Sequence, residues 1–151
     1  MKKESIIRFV EKRDLQELIV LCELHSIFEK SQYDPKGKAE GLENYLFSEN
    51  PPFFCLVVEW KHKLVCYASY TKQFSTWDAS YYIYMDCLFL NEKSRGFGIG
   101  EKIVERIKQE SQKVNCNTVQ WQTPEFNTRA MKFYNRLGGI SKTKERYFLD
   151  I

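Results

Sequence analysis

Apolar positions in this chain repeat with two different periods, and the switches between them outline the elements. Residues 5–12 alternate apolar and polar around Ile7 and Phe9, which predicts a strand. Asp14 with Glu17 three residues on has the form of a capping box, opening a helix over "LQELIVLCELHSIF". "YDPKGK" breaks the chain, and "AEGLENYLF" reads as a shorter helix that ends before "SENPPF". Three strands follow. "FFCLVVEW" and "LVCYASYT" flank "KHK" as a hairpin, although its turn lacks Gly or Asn. "SYYIYMDCLFL" is apolar or aromatic on both faces towards its end, the pattern of a central strand. Ile99, Ile103, Val104 and Ile107 then recur at helical spacing, and "TVQWQTP" reads as a strand. Asn127 can cap the helix "TRAMKFYNRL", which Gly138 and Gly139 terminate, and "ISKTKERYFLDI" reads as a last strand or hairpin.

The predicted order is β-α-α-β-β-β-α-β-α-β, with no internal repeat, linker or low-complexity segment. It describes a mixed α/β sandwich in one domain over residues 1–151.

Composition narrows the classes of function. An 18.0 kDa chain with 43% apolar residues can stock one sizeable core. A formal charge of +3, from 23 basic and 20 acidic residues interspersed, supplies no basic stripe for nucleic acid. No apolar run approaches the roughly 18 residues of a membrane span, and "MKKESIIRFVEKRD" lacks the apolar core of a signal peptide. Cys22, Cys55, Cys66, Cys87 and Cys116 are odd in number and form no CxxC pair, which predicts reduced, mainly buried thiols in a cytoplasmic protein. With His25 and His62 far apart in sequence, no metal-ligand pattern arises.

The chemistry concentrates in "SRGFGIG", residues 94–100, where three of the seven glycines sit within five positions. A strand entering a glycine turn that opens a helix gathers backbone N–H groups at one point. The first helical amides have no intrahelical acceptor, and the helix dipole adds partial positive charge. Glycine removes the Cβ that would hold an anion away, so a phosphate or pyrophosphate is the natural occupant. Arg95 adds a fixed charge beside it. The spacing is not the GxGxxG of a dinucleotide fold, because Glu101 and Lys102 follow Gly100, and no Gly-Lys-Ser/Thr of a P-loop occurs. A tight turn with no ligand has the same glycines.

"RGFGIGEKIVERI" resembles the acyl-CoA-binding motif of GCN5-related N-acetyltransferases, and the element order is similar to that fold over nearly the whole chain. "YMDCLFLNEKSRGFGIG", "PEFNTRAMKFYNRLGG" and Trp77 resemble the diamine (spermidine/spermine) acetyltransferase branch. The resemblance implies a mixed, mostly antiparallel sheet flanked by helices, acetyl-CoA as the donor and no metal. It implies that Leu88, Phe89 and Leu90 pair with the pantetheine arm. Arg95, Gly96, Phe97, Gly98, Ile99, Gly100 and Glu101 would hold the pyrophosphate, with Asn127, Arg129 and Ala130 close by. Tyr134 matches the tyrosine that faces the cofactor sulfur, where a phenol can protonate the leaving thiolate.

The acceptor must lose a proton, because a primary amine with a pKa of about 10.4 cannot attack as ammonium. Asp86 is the candidate carboxylate, since an acid inside "YIYMDCLFL" is costly without a partner or a role. The branch usually has Glu there, followed by a second acid, where this chain has Asp86 and Cys87. A structural Asp86 satisfied by neighbouring hydroxyls or an arginine is the other reading. Recognition of a cation should use acids and aromatic faces. The candidates are Phe28 and Glu29, then Trp77, Asp78, Tyr82, Tyr84 and Trp121, although aromatic clusters more often build cores.

"HSIFEKSQYD" is less acidic than the corresponding stretch of the branch, with His25 and Lys30 adding potential positive charge. That favours a smaller diamine, an amino-acid-like amine or an aminoglycoside over spermine. The alternatives are a family member acting on a protein N-terminus or lysine, and a CoA-binding module without catalysis. The branch also implies a homodimer, a small-molecule amine as partner, and no membrane.

Overall fold

The computed structural model describes residues 4–151. Its elements run β1 Ile6–Phe9, α1 Leu15–Phe28, α2 Lys38–Leu46, β2 Phe54–Trp60, β3 Lys63–Ser75, β4 Ser80–Leu90, α3 Ile99–Lys113, β5 Val119–Trp121 and α4 Thr128–Arg136. The strands form one sheet in the order β1-β2-β3-β4-β5. The first four are antiparallel and β5 joins β4 in parallel, so the sheet is mixed and mostly antiparallel.

The unbroken apolar runs of β2 and β3 follow from burial on both faces. Cys55 and Val57 of β2 face Leu15, Leu18 and Leu21 of α1, while Leu56 and Val58 face Ile99, Ile103 and Ile107 of α3. Ile103 and Ile107 are at most 1% exposed, and each such side chain contributes about 1.5–3 kcal/mol by leaving water. Among the described residues, no helix is long and apolar enough to cross a membrane.

Two local expectations change, and a third acquires its reason. Asp14 does not cap α1 through Glu17: its carboxylate accepts from the Glu11 amide at 2.7 Å and from Arg8 at 2.6 and 2.9 Å. Glu17 instead accepts from the Leu64 amide at 2.9 Å, tying α1 to β3. A buried cation near β1 outcompeted the local cap. The β2–β3 turn needs no glycine, because Lys61 and His62 both take left-handed conformations, with φ of +53° and +64°.

Finally, residues 140–151 form no strand among the described residues. Ile140, Tyr147 and Leu149 are 95%, 89% and 91% exposed, because an extended segment becomes a strand only when a ladder accepts it.

Arg8 bridges Asp14 and Glu59, so one guanidinium joins β1, the turn before α1, and β2. Its hydrogen bond holds the Asp14 carboxyl below the ordinary 3.8. A lowered folded pKa means that this stabilisation is present above the ordinary value and is lost as pH falls through the lowered one. Asp14→Asn should cost about 3 kcal/mol at neutral pH by leaving a half-buried arginine underpaired, and should flatten the acid side of the stability curve. Urea melts of both proteins at neutral pH and near pH 3 check this.

Candidate active site

β4 and β5 pair only through Ile83–Val119, Tyr84–Gln120 and Met85–Trp121, and then separate. The second half of β4 thus turns its backbone towards an opening between the strands. On the other side the β3–β4 register breaks: Tyr70 faces Met85 and Ser69 faces Cys87, leaving Asp86 as the extra residue of a bulge. A bulge re-aims a side chain. Asp86 is accordingly exposed instead of buried in an apolar strand, and its recorded polar contact is the Cys87 thiol donating at 3.6 Å.

The opening leads into a cavity of about 600 Å³ whose walls come from α1, β4, the glycine turn, β5 and α4. It gathers Phe28, Glu29, Asp86, Leu88, Phe89, Leu90, Arg95, Gly96, Gly98, Ile99, Gly100, Glu101, Trp121, Asn127, Arg129, Ala130 and Tyr134. Phe97 does not line it, and its ring packs on Trp60 at 4.9 Å. Two further candidates lie outside this cavity. Trp77 is 96% exposed in the β3–β4 turn, and Tyr84 is likewise outside the lining. The long hairpin carries Trp77 past the core. Sequence reading missed His25, Met85, Gln122, Thr123, Lys132, Phe133, Arg136 and Leu137. Arg129, Lys132, Phe133 and Arg136 share one face of α4 at helical spacing, a signal the sequence did contain.

The three glycines have separate causes. Gly96 and Gly98 take φ of +84° and +77°, and a Cβ on either would meet nothing within 4 Å. Gly100 has an ordinary backbone but lies against Phe133, where a Cβ would come to 3.1 Å. Gly98 is the N-cap of α3, so the amides of Ile99, Gly100 and Glu101 begin that helix without intrahelical acceptors. Arg95 is anchored by its Nε donating to the Leu90 carbonyl at 3.1 Å, with its guanidinium over the Phe28 ring at 4.7 Å. With Arg129, Lys132 and Arg136 it gives the cavity four cations, a fit for a ligand carrying several phosphates. Asn127 caps α4 by accepting from the Ala130 amide at 3.2 Å.

Tyr134 stands edge-on to Trp121 at 5.2 Å. Burial, reinforced by the Glu29 charge, pushes its phenol up to about 12, so it keeps its proton throughout the neutral range. Its hydroxyl has no recorded protein partner among the described residues, which leaves it available to a ligand. Burial and the Asp86 charge push the Cys87 thiol up to about 12, far from a reactive thiolate. All five cysteines are free. Among the described residues no group of three or more His, Cys, Asp or Glu could hold a metal.

The acetyltransferase (GNAT) family model matches residues 18–139. The thialysine N-epsilon-acetyltransferase of Mus musculus is 26% identical over 152 residues, covering 95% of this chain and 89% of its own. The spermidine/spermine N(1)-acetyltransferase-like protein 1 of Homo sapiens is 23% identical over 92% of this chain and 21% of its own. An integron cassette protein from the mobile metagenome of V. cholerae superposes with a TM-score of 0.75 at 27% identity, covering 97% of this chain and 92% of that one.

Proposed function

The chain belongs to the acetyltransferase (GNAT) family and is an N-acetyltransferase, and on that premise we propose that it transfers acetyl from acetyl-CoA directly to the primary amine of a small cationic molecule. The observation that carries this reading is the convergence in one cavity of a glycine anion cradle, a half-open strand edge, two carboxylates and a protonated tyrosine. Gly96, Gly98, Ile99, Gly100 and Arg95 receive the pyrophosphate. The β4 backbone from Leu88 to Leu90 takes the pantetheine arm, which runs towards Tyr134.

Asp86, freed by its bulge, accepts a proton from the ammonium directly or through water. The neutral amine attacks the thioester carbonyl carbon, the C–N bond forms and the C–S bond breaks. The departing thiolate takes the Tyr134 proton, the nitrogen loses its second proton as the amide forms, that proton restores the tyrosine through water, and Asp86 returns the first to solvent. Glu29 and Asp86, beside the Phe28 and Trp121 rings in the same cavity, support a cationic amine. The names of two relatives, acting on thialysine and related to spermidine/spermine acetylation, point the same way.

Thiol release from acetyl-CoA against putrescine, spermidine, spermine, lysine analogues, aminoglycosides and peptides tests the proposal. Turnover should be highest with a small diamine or an amino-acid-like amine. Turnover confined to peptides would favour a protein substrate, and none with any acceptor would leave a binding module.

We also propose that the protein is a homodimer. The support is the arm of residues 140–151, whose Tyr147, Leu149 and Ile151 recur at strand period and are almost wholly exposed. Such a surface is expected to lie against a second copy, where β5, an edge of the sheet, is available. Light scattering should give twice the 18.0 kDa of one chain, and Leu149→Asp with Tyr147→Asp should shift it to the single-chain mass. A single-chain mass for the unaltered protein would rule the dimer out.

A further inference from the structure

Glu29 is oddly placed for a stabilising acid. It is the C-cap of α1, where the helix dipole is negative and a carboxylate costs about 0.3–1 kcal/mol. Among the described residues no lysine or arginine pairs with it. Its recorded partner is His25, whose Nε2 is 3.1 Å from Glu29 Oε1. On the other side of the ring, Nδ1 is 2.6 Å from the Tyr67 hydroxyl. The imidazole also stacks on Phe89 at 5.1 Å with 19° between the planes, so it has little freedom to turn.

These contacts fit one neutral protonation pattern. Tyr67 is 4% exposed, and burial keeps its hydroxyl protonated, so it has a proton to give to Nδ1. The ring proton is then on Nε2 and points at the Glu29 carboxylate. The opposite tautomer would aim a bare nitrogen lone pair at a carboxylate. The consequence is electrostatic. An arginine in the place of His25 would orient Glu29 but cancel its charge, whereas a neutral imidazole orients the carboxylate and leaves it negative. Of the other groups around the ring, Cys22 of α1 and Cys87 of β4 keep their protons because burial raises their thiols, and Arg95 is held over the Phe28 and Phe89 rings by the Leu90 carbonyl instead of pairing with Glu29. His25 and Glu29 both line the cavity with Tyr134.

We propose that His25 and Tyr67 are positioning residues for acceptor recognition: the Tyr67–His25–Glu29 chain holds one carboxylate oxygen by hydrogen bond and presents the carboxylate, without pairing it to a cation, to the ammonium of the acceptor. The proposal rests on the acetyl-transfer reading and adds two residues that the sequence did not single out, one of which it counted as adverse positive charge. Its selectivity is for charge. A cationic amine uses the chain, and a nucleophile that is neutral when it binds does not.

The test compares His25→Leu and Tyr67→Phe with the unaltered protein, using the panel amine of highest kcat/KM and O-benzylhydroxylamine, which is uncharged at neutral pH. His25→Leu should lower kcat/KM for the cationic amine about tenfold, mainly through KM, roughly the worth of a charge-assisted hydrogen bond. Tyr67→Phe, which keeps the ring, should produce a smaller loss of the same kind. In both variants kcat/KM for the cationic amine should fall several times more than kcat/KM for O-benzylhydroxylamine. Equal losses for both acceptors, or no loss, would overturn the proposal and leave acetyl transfer standing.

A readout independent of turnover is the long-range ¹H–¹⁵N spectrum of His25 in the unaltered protein, which should show protonated Nε2 and bare Nδ1. The reverse pattern would overturn the chain even in a protein that acetylates none of the amines, and that absence of turnover would by itself overturn only the parent reading.

Discussion

Tyr134→Phe should lower kcat about 10²- to 10⁴-fold while leaving the dissociation constant for acetyl-CoA nearly unchanged. The substitution removes one oxygen and keeps the ring that packs edge-on to Trp121, so neither the fold nor the cavity wall has reason to move. What it removes is the only part of this side chain able to protonate a thiolate. Burial pushes the Tyr134 phenol up to about 12, so it enters the reaction carrying its proton, and any loss of activity between neutral pH and pH 10 must come from another group. Thiol release for kcat and calorimetry for binding separate the two quantities. Turnover unaffected by the substitution would remove Tyr134 from the mechanism.

Gly98→Asp should abolish acetyl-CoA binding, and the structure explains why the loss would report on the ligand and not on the fold. Gly98 has φ of +77°, a conformation that Asp and Asn tolerate better than other residues, and a Cβ there meets no protein atom within 4 Å. The space a side chain would fill is the space an anion needs, at the first free amides of α3. An aspartate places a negative charge there, whereas Gly98→Asn adds similar bulk without charge and should weaken binding less. In thermal-shift measurements acetyl-CoA should raise the Tm of the unaltered protein and leave that of Gly98→Asp where it is. A retained shift in the Asp variant would place the pyrophosphate elsewhere.

Much of the arrangement was legible along the chain. The α1 segment "LQELIVLCELHSIF" and the β4 segment "SYYIYMDCLFL" coincide with the observed elements, because long amphipathic or two-sided apolar patterns allow few alternatives. The glycine turn stood out because "GFGIG" strips side chains where a helix begins. Asn127 caps α4 as its position before "TRAM" suggested.

At the start of α1 the expected capping box gave way to contacts outside it. Asp14 turned to Arg8, and Glu17 reached across to Leu64. Trp77, grouped with the substrate residues, stands on a hairpin that overshoots the core. The strand period of residues 140–151 is present without a ladder in its own chain.

The sequence by itself therefore determined the succession of elements, the anion cradle and the residue types available for acetyl transfer. Those depend on period, on backbone freedom and on the chemistry of single side chains. The tertiary structure alone decided how they act together. It parted β4 from β5 after Met85, which opened the cavity, and it spent one extra residue on a bulge that exposed Asp86. It also brought Tyr67, 42 residues distant, to within 2.6 Å of His25, placing the imidazole between that hydroxyl and Glu29. Strand divergence, register and tautomer are properties of pairs, and no single position in a sequence encodes them.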